Sequence, residues 1–229
     1  MDIDDILASV SGEHDAPSAI RDLHALTRAW VAERSAPELL PYPSGIVDRV
    51  STRISAQIAT VEDLTSALDP SANFALVVIQ TDLERAKFLL RALLRTRLAK
   101  MDRFARHYLS LSDQQSGGRE EKNPLLSGTE KQYLAHHSAM LDAHYAASFL
   151  GSFPPALQRM DDTAGGIGMV DRPDEETAVF VRILRDGDEA VEVQGEHGAA
   201  EIELRRGDVW VLRWKSVRDR VLRGDVELI

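Results

Sequence analysis

Residues 83–108, LERAKFLLRALLRTRLAKMDRFARHY, constrain the fold more tightly than any other stretch. Wound at about 100° per residue, Leu83, Ala86, Leu90, Leu93, Leu94, Leu98, Met101, Phe104 and Tyr108 share one broad face. Phe88 and Leu89 fall off that face, so the helix offers apolar surface in a second direction. A helix apolar on more than one side has to be surrounded. Arg97 sits inside the apolar face, where a charge must be paired or must lean out along its stem. Glu33 and Glu38, flanking the break after the preceding helix, are its candidate partners in a structural ion pair. The periodicity extends over 73–112. About 40 residues of helix span ~60 Å, longer than a compact domain of this size needs, which points to assembly with other chains.

The remaining segments are what this chain itself can pack against that helix. A helix is predicted over 16–36, with Pro17 in its first turn and a stripe of Ile20, Leu23, Leu26, Trp30 and Val31. Pro37, Pro41 and Pro43 break it. A second helix over 44–68 starts at Ser44 as N-cap and carries Val47, Val50, Ile54, Ile58, Val61, Leu64 and Leu68. After a polar loop at 113–126, a fourth helix runs from Ser127 or Thr129 to Leu150, with Tyr133, Leu134, Met140 or Leu141, Tyr145 and Phe149 inward and Gly151 as its stop. Residues 152–175 read as a linker. The period then changes from helical to alternating: Val179, Val181 and Ile183, then 190–193, Ile202 with Leu204, and 209–214 are strands, followed by a helical turn at 216–222 and a C-terminal Val226–Ile229 that pairs into the sheet. The fold class is α+β, an N-terminal helical bundle over 16–151 and a small β-rich domain over 176–229. The first 15 residues are an acidic segment in which Ile3, Ile6, Leu7 and Val10 space as one face of a short helix.

Several function classes are excluded or weakened. Zero cysteines remove disulfides, thiolate metal sites and cysteine nucleophiles together. No run of 18 apolar residues exists for a membrane span, and the acidic start MDIDDILASV lacks the basic flank of a signal peptide, which fits a cytosolic or nuclear protein. The net charge of −10 argues against nonspecific DNA binding by the isolated chain. Charge is uneven, however: Arg85 to Arg106 holds eight basic residues against Asp102. That run reads as a solvated face, as a surface for an acidic partner, or as a basic-helix nucleic-acid-binding module. His136, His137 and His144 are the best metal-ligand candidates, for a metal-dependent hydrolase, but no His-Glu-x-x-His accompanies them. The glycines at 165, 166 and 168 follow no strand and open no helix, so they are not a dinucleotide loop. Arg206-Gly207-Asp208 reads as a turn. With no nucleophile elbow or phosphate loop, the expectation is no enzyme, no cofactor and no metal.

Four signatures carry a family resemblance. Leu94-Arg95-Thr96-Arg97-Leu98-Ala99-Lys100-Met101 resembles the Leu-Arg-x-Arg-Leu-x-Lys-Ile/Met of GINS subunits. Trp30-Val31-Ala32-Glu33-Arg34-Ser35-Ala36-Pro37-Glu38-Leu39-Leu40, Pro154-Pro155-Ala156-Leu157-Gln158-Arg159 and the ending Gly224-Asp225-Val226-Glu227-Leu228-Ile229 are similar to segments of the Sld-five type of subunit. They lie in order between about residues 20 and 229.

The resemblance implies a helical A domain and a β-rich B domain. It implies membership of a heterotetramer with Psf-one, Psf-two and Psf-three, acting with the Mcm hexamer and Cdc-forty-five in the replicative helicase of the nucleus. It implies no catalytic site. Ile3, Asp4, Asp5, Ile6, Leu7 and Val10 resemble the peptide by which fungal members bind the trimeric Ctf-four adaptor, with Val10 where Leu is usual. Phe88, Leu89, Leu93 and Leu94 are the expected subunit-interface residues. Expressed alone, such a chain is expected to aggregate or associate.

Overall fold

Pro37, Pro41 and Pro43 set the first turning point. Proline supplies no backbone N–H and disfavours helix in the residue before it, and helix α1 (Ala16–Ser35) ends ahead of Pro37. The connector is irregular up to Pro43, and Ser44 starts α2 (Ser44–Ser66). The computed structural model describes residues 16–66, 72–115, 124–158, 169–186, 191–195 and 198–229. Within them follow α3 (Asn73–Arg103), α4 (Ala105–Gln115), α5 (Gly128–Ser148) and two 3-10 turns, Leu150–Ser152 and Pro155–Leu157. Then come β1 (Ala178–Ile183), β2 (Val191–Gly195), β3 (Gly198–Ile202), β4 (Val209–Arg213), α6 (Trp214–Arg223) and β5 (Val226–Leu228). The class is α+β, with the helices mostly N-terminal.

Two expectations need correction. The helix expected unbroken over 73–112 is interrupted at Phe104, between α3 and α4. The Phe104 N–H still donates to the Lys100 carbonyl at 3.0 Å and the Tyr108 N–H to that of Phe104 at 3.1 Å, so the interruption is one residue of distorted geometry rather than an end. On α5, the buried positions are Glu130, Leu134 and Ser138, an i, i+4, i+8 row. Tyr133, Met140 and Phe149, expected inward, are exposed. The helix is covered only along its first half, and periodicity alone does not reveal where a covering element stops.

The described residues form two compact units. Among the described residues, one comprises those of 16–31 and 43–95, the other those of 32–42 and 96–229. The first is built on Leu26, Val47, Val50, Ile79, Leu83, Ala86, Leu89 and Leu93, all buried. Arg49 pairs with Asp22 at 2.7 Å and Arg53 with Asp82 at 2.9 Å. Trp30 meets Phe88 edge-on, ring centres 6.2 Å apart.

The second unit has two cores. Leu39, Met101, Ala105, Tyr108, Leu126 and Leu134 make the helical one. The other gathers the inward residues of the sheet, Val179, Val181, Ile183, Leu212, Val226 and Leu228, with Trp214 and Val217 of α6 and Ala36 of the connector. Full burial of one such aliphatic side chain contributes about 1.5–3 kcal/mol. The sheet is antiparallel in the order β4-β1-β5, and β2 and β3 form a separate hairpin. Helix α6 ends in a Schellman turn. Gly224, at φ 81°, donates to the Val221 carbonyl, and the Asp225 N–H reaches back to Arg220, both at 3.0 Å. The turn feeds β5 directly, so the last residues pair with β1.

Candidate functional site

Arg97 comes from the C-terminal part of α3, and its side chain has no exposed surface. A guanidinium has five N–H donors in a planar fork, and here each has an acceptor. Nε donates to Glu130 Oε1 at 2.8 Å and Nη2 to Glu130 Oε2 at 3.1 Å, a bidentate pair. Nη1 donates to Glu33 Oε2 at 3.0 Å and to the Leu40 carbonyl at 2.7 Å. Nη2 also donates to the Leu125 carbonyl at 2.8 Å. The guanidinium lies 5.2 Å from the centre of the Tyr42 ring.

Lys100, one helical turn on, completes the cluster. Its three N–H donors go to Glu33 Oε1 at 2.8 Å, to the Glu38 carbonyl at 2.8 Å, and to the Glu33 carbonyl. Two cations thus face two carboxylates with 2% and 7% exposure, Glu33 and Glu130. Burial works against the charge of Arg97, but the Glu130 hydrogen bonds and the Glu33 charge outweigh it, and its pKa lies above the ordinary value. For Lys100 burial dominates and holds the pKa below its ordinary value, with Glu33 opposing. Tyr108 borders the cluster: its hydroxyl accepts the Leu39 N–H at 2.9 Å. Burial, reinforced by the charges of Glu38 and Glu33, pushes its pKa up to about 12.

Of the two partners named from the sequence, Glu33 meets Arg97. Glu38 offers its carbonyl to Lys100 and its carboxylate to Arg218 of α6. Glu130, the bidentate partner, is missed by sequence reasoning although it carries a signal. Ser127-Gly128-Thr129-Glu130 is a capping box, with the Glu130 N–H donating to Ser127 Oγ at 3.2 Å and the Ser127 N–H to Glu130 Oε2 at 2.9 Å. The same carboxylate caps its own helix and clamps Arg97.

The cluster is a structural joint. It presents no nucleophile or open coordination position, and its donors are consumed by carboxylates and carbonyls. The connector it grips sends Ala36 into the sheet core and Leu39 into the helical core.

The second candidate feature is a surface. Phe74, Val77 and Phe88 fall within about 60° of arc on α3 and are 67%, 59% and 58% exposed. Leu94 is half-buried. Leu89 and Leu93, expected to face another chain, are buried by this one, because they lie on the side of α3 that also carries Ile79, Leu83 and Ala86. The basic run is largely consumed. Lys87 and Arg91 approach Glu84 at 3.2 and 3.6 Å, Arg106 pairs with Asp142, and Arg97 and Lys100 are in the cluster. Arg85, Arg95 and Arg103 remain exposed. His136 is exposed on α5, while the His137 ring stacks on Tyr133 at 5.7 Å, with Nδ1 3.8 Å from Asp102 Oδ1. The acidic peptide residues Ile3, Asp4, Asp5, Ile6, Leu7 and Val10 lie outside the described residues.

Comparison with known proteins identifies the chain's relatives. A family model described as the GINS complex protein helical bundle domain matches residues 49–149, and one described as the DNA replication complex GINS protein SLD5 C-terminus matches 173–229. A protein of Chaetomium globosum named DNA replication complex GINS protein SLD5 is 46% identical over the whole of both chains. The chain belongs to the SLD5 family of GINS proteins. The namesake from Schizosaccharomyces pombe is 36% identical over all of this chain and 99% of the relative, and that from Yarrowia lipolytica 33% over all of this chain and 85% of the relative. In this SLD5-family chain the Arg97 cluster therefore lies across the 49–149 match and the connector ahead of it. The chain has a GINS role in DNA replication, and among its described residues no helix is long and apolar enough to cross a membrane.

Proposed function

We propose that this SLD5-family chain is a non-enzymatic structural subunit of a nuclear GINS heterotetramer. Its sister subunits are Psf-one, Psf-two and Psf-three, and the complex supports the replicative helicase with the Mcm hexamer and Cdc-forty-five. Residues 16–151 serve as the helical A domain, 152–175 as the linker, 176–229 as the B domain, and 1–15 as a peptide for the Ctf-four adaptor. No cofactor takes part.

The observation that carries this reading is the ridge of Phe74, Val77 and Phe88. These are three large apolar side chains, each more than half exposed, on one face of the longest helix. Solvent contact of that kind is relieved by a partner's apolar face.

Co-expression with the three sister subunits tests it. The expected result is a stoichiometric complex from which Phe74→Asp with Phe88→Asp drops out, while the helical circular dichroism of the substituted chain is unchanged. A wild-type chain that stays a soluble monomer and ignores the sister subunits overturns the proposal.

A further inference from the structure

Phe74, Val77, Thr81, Glu84, Phe88, Arg91 and Arg95 recur along α3 at alternating steps of three and four residues, the spacing of a seam along which a second helix packs. Each of them is exposed. The seam runs ~30 Å from Phe74 to Arg95. It begins apolar and ends cationic, with Phe88 between the two parts, braced edge-on by Trp30 of α1. Arg85 stands beside the seam and is exposed as well. The carboxylates of these two helices are already engaged. Over 16–31 and 73–95 they are Asp22, Asp82 and Glu84. Asp22 is held by Arg49 and Asp82 by Arg53, both from α2, and Gln57 donates to Asp82 at 3.0 Å. Glu84 is shared by Lys87 and Arg91. Among the described residues Arg85 and Arg95 make no ion pair. The other described carboxylates of this unit, Asp48, Glu62 and Asp63, stand on α2.

We infer that this seam docks an amphipathic helix of a sister subunit, apolar where it crosses Phe74, Val77 and Phe88, and bearing aspartate or glutamate where it crosses Arg91 and Arg95 and passes Arg85. The inference rests on the subunit reading above and specifies the partner's chemistry. The spacing selects a helix, because side chains at matching three–four steps keep contact along the full ~30 Å. The cations select acid. A covering helix takes Arg95 out of water, and a desolvated guanidinium without a carboxylate is strongly destabilising. This chain does not supply that carboxylate from α3: residues 91–99, one turn to either side of Arg95, read RALLRTRLA. Glu84 lies ~16 Å back along the axis and is occupied. Arg85 and Arg95 surrender no internal ion pair on binding, so carboxylates of the occupant add pairs rather than exchange them. Phe88, held in place by Trp30, is the aromatic anchor between the apolar and charged parts.

The test uses the full-length chain co-expressed with the three sister subunits, with Phe88 exchanged for the photoreactive residue p-benzoylphenylalanine. After irradiation, mass spectrometry identifies the cross-linked segment. The expected segment belongs to a sister subunit, has helical apolar periodicity, and holds more Asp and Glu than Lys and Arg within about three turns of the cross-link. In a second measurement, Arg85→Glu with Arg95→Glu lowers recovery of the complex about tenfold or more at ~0.15 M salt. Arg206→Glu with Lys215→Glu, the same charge change on two exposed cations of the other unit, leaves recovery unchanged, and both double variants keep the wild-type helical circular dichroism. A complex that forms but cross-links at position 88 to a neutral or basic segment, or not at all, overturns the inference and leaves membership of the complex standing. Equal recovery of the two double variants does the same. A cross-link between two copies of this chain overturns it too, and failure of the wild-type chain to join any complex overturns both the inference and the subunit reading.

Discussion

Replacing Arg97 by alanine tests the joint most directly. The substitution leaves Glu130 Oε1 without a donor, leaves Glu33 with Lys100 alone, and strands the Leu40 and Leu125 carbonyls. Removing one partner of a buried ion pair costs about 3–5 kcal/mol, and each buried acceptor left unpaired costs about 1–3 kcal/mol unless water reaches it. Taking the lower bounds together gives a local loss of ~4–5 kcal/mol, a large part of the roughly 5–15 kcal/mol that separates folded from unfolded domains. Native-state hydrogen exchange reads this locally. Amides of the connector and of the first turns of α5 should exchange about 10³-fold faster in Arg97→Ala, since ~1.4 kcal/mol is tenfold. Amides of α2 serve as the internal control. The decisive variant is Arg97→Met with Glu130→Leu. It removes both charges of the bidentate pair and keeps the Glu33–Lys100 pair, so it should cost less than Arg97→Ala alone, apart from about 1 kcal/mol for the lost α5 cap. If Arg97→Ala changes exchange less than about fivefold, or if the double variant loses the sum of the two single effects, the joint is not an energetically coupled cluster and the reasoning fails.

Tyr108 gives a pH dependence with a definite sign. Its folded pKa of about 12 exceeds the unfolded value of ~10, so its contribution, ~2–3 kcal/mol, is fully present below about pH 10 and is lost as pH rises toward 12. Urea midpoints at about pH 9 and about pH 11 should fall less in Tyr108→Phe than in wild type, and equal falls would remove Tyr108 as the cause. Gly224→Ala forces a Cβ into a left-handed turn at φ 81° and should lower thermal stability by about 1–2 kcal/mol, whereas an unchanged melting curve would mean that the Schellman turn adds nothing. Ile6→Ala with Leu7→Ala should abolish adaptor binding in a pull-down while the complex with the sister subunits survives, and undiminished adaptor binding would sink the peptide assignment.

Much of this architecture is legible because local chemistry and global position agree. The proline-rich connector and the change of period near residue 176 each follow from constraints on a few neighbouring residues. Arg97 was conspicuous for the same reason: a charge in an apolar stripe advertises a partner. The partner's identity was a different problem. Glu130 lies 33 residues away across a loop, and the one signal it carries, its capping-box spacing from Ser127, is local and points to its own helix. Lys100 was camouflaged by the basic run around it. Leu89 and Leu93 show the converse limit. Sequence tells that a helix has apolar surface on two sides, but which side the chain itself covers depends on where the other helices end. The same limit hides the exposure of Met140 on α5 and of Phe149 just past its end, beyond the part of the helix that is buried.

The composition of the joint says why charge stands where an apolar plug would serve stability at least as well. A leucine cluster of similar volume is satisfied by many registers, because dispersion and hydrophobic burial are not directional. Eight N–H donors, five on Arg97 and three on Lys100, are satisfied only when the end of α1, the connector, α3 and the capped start of α5 hold one mutual position. A slip of one turn along α3 would move the guanidinium by ~5.4 Å and break its bidentate pair with Glu130, because the Lys100 ammonium one turn on has no planar fork to replace it. The cluster therefore buys register more than stability. Register is what the connector requires, because Ala36 and Leu39, three residues apart, must enter two different cores at once.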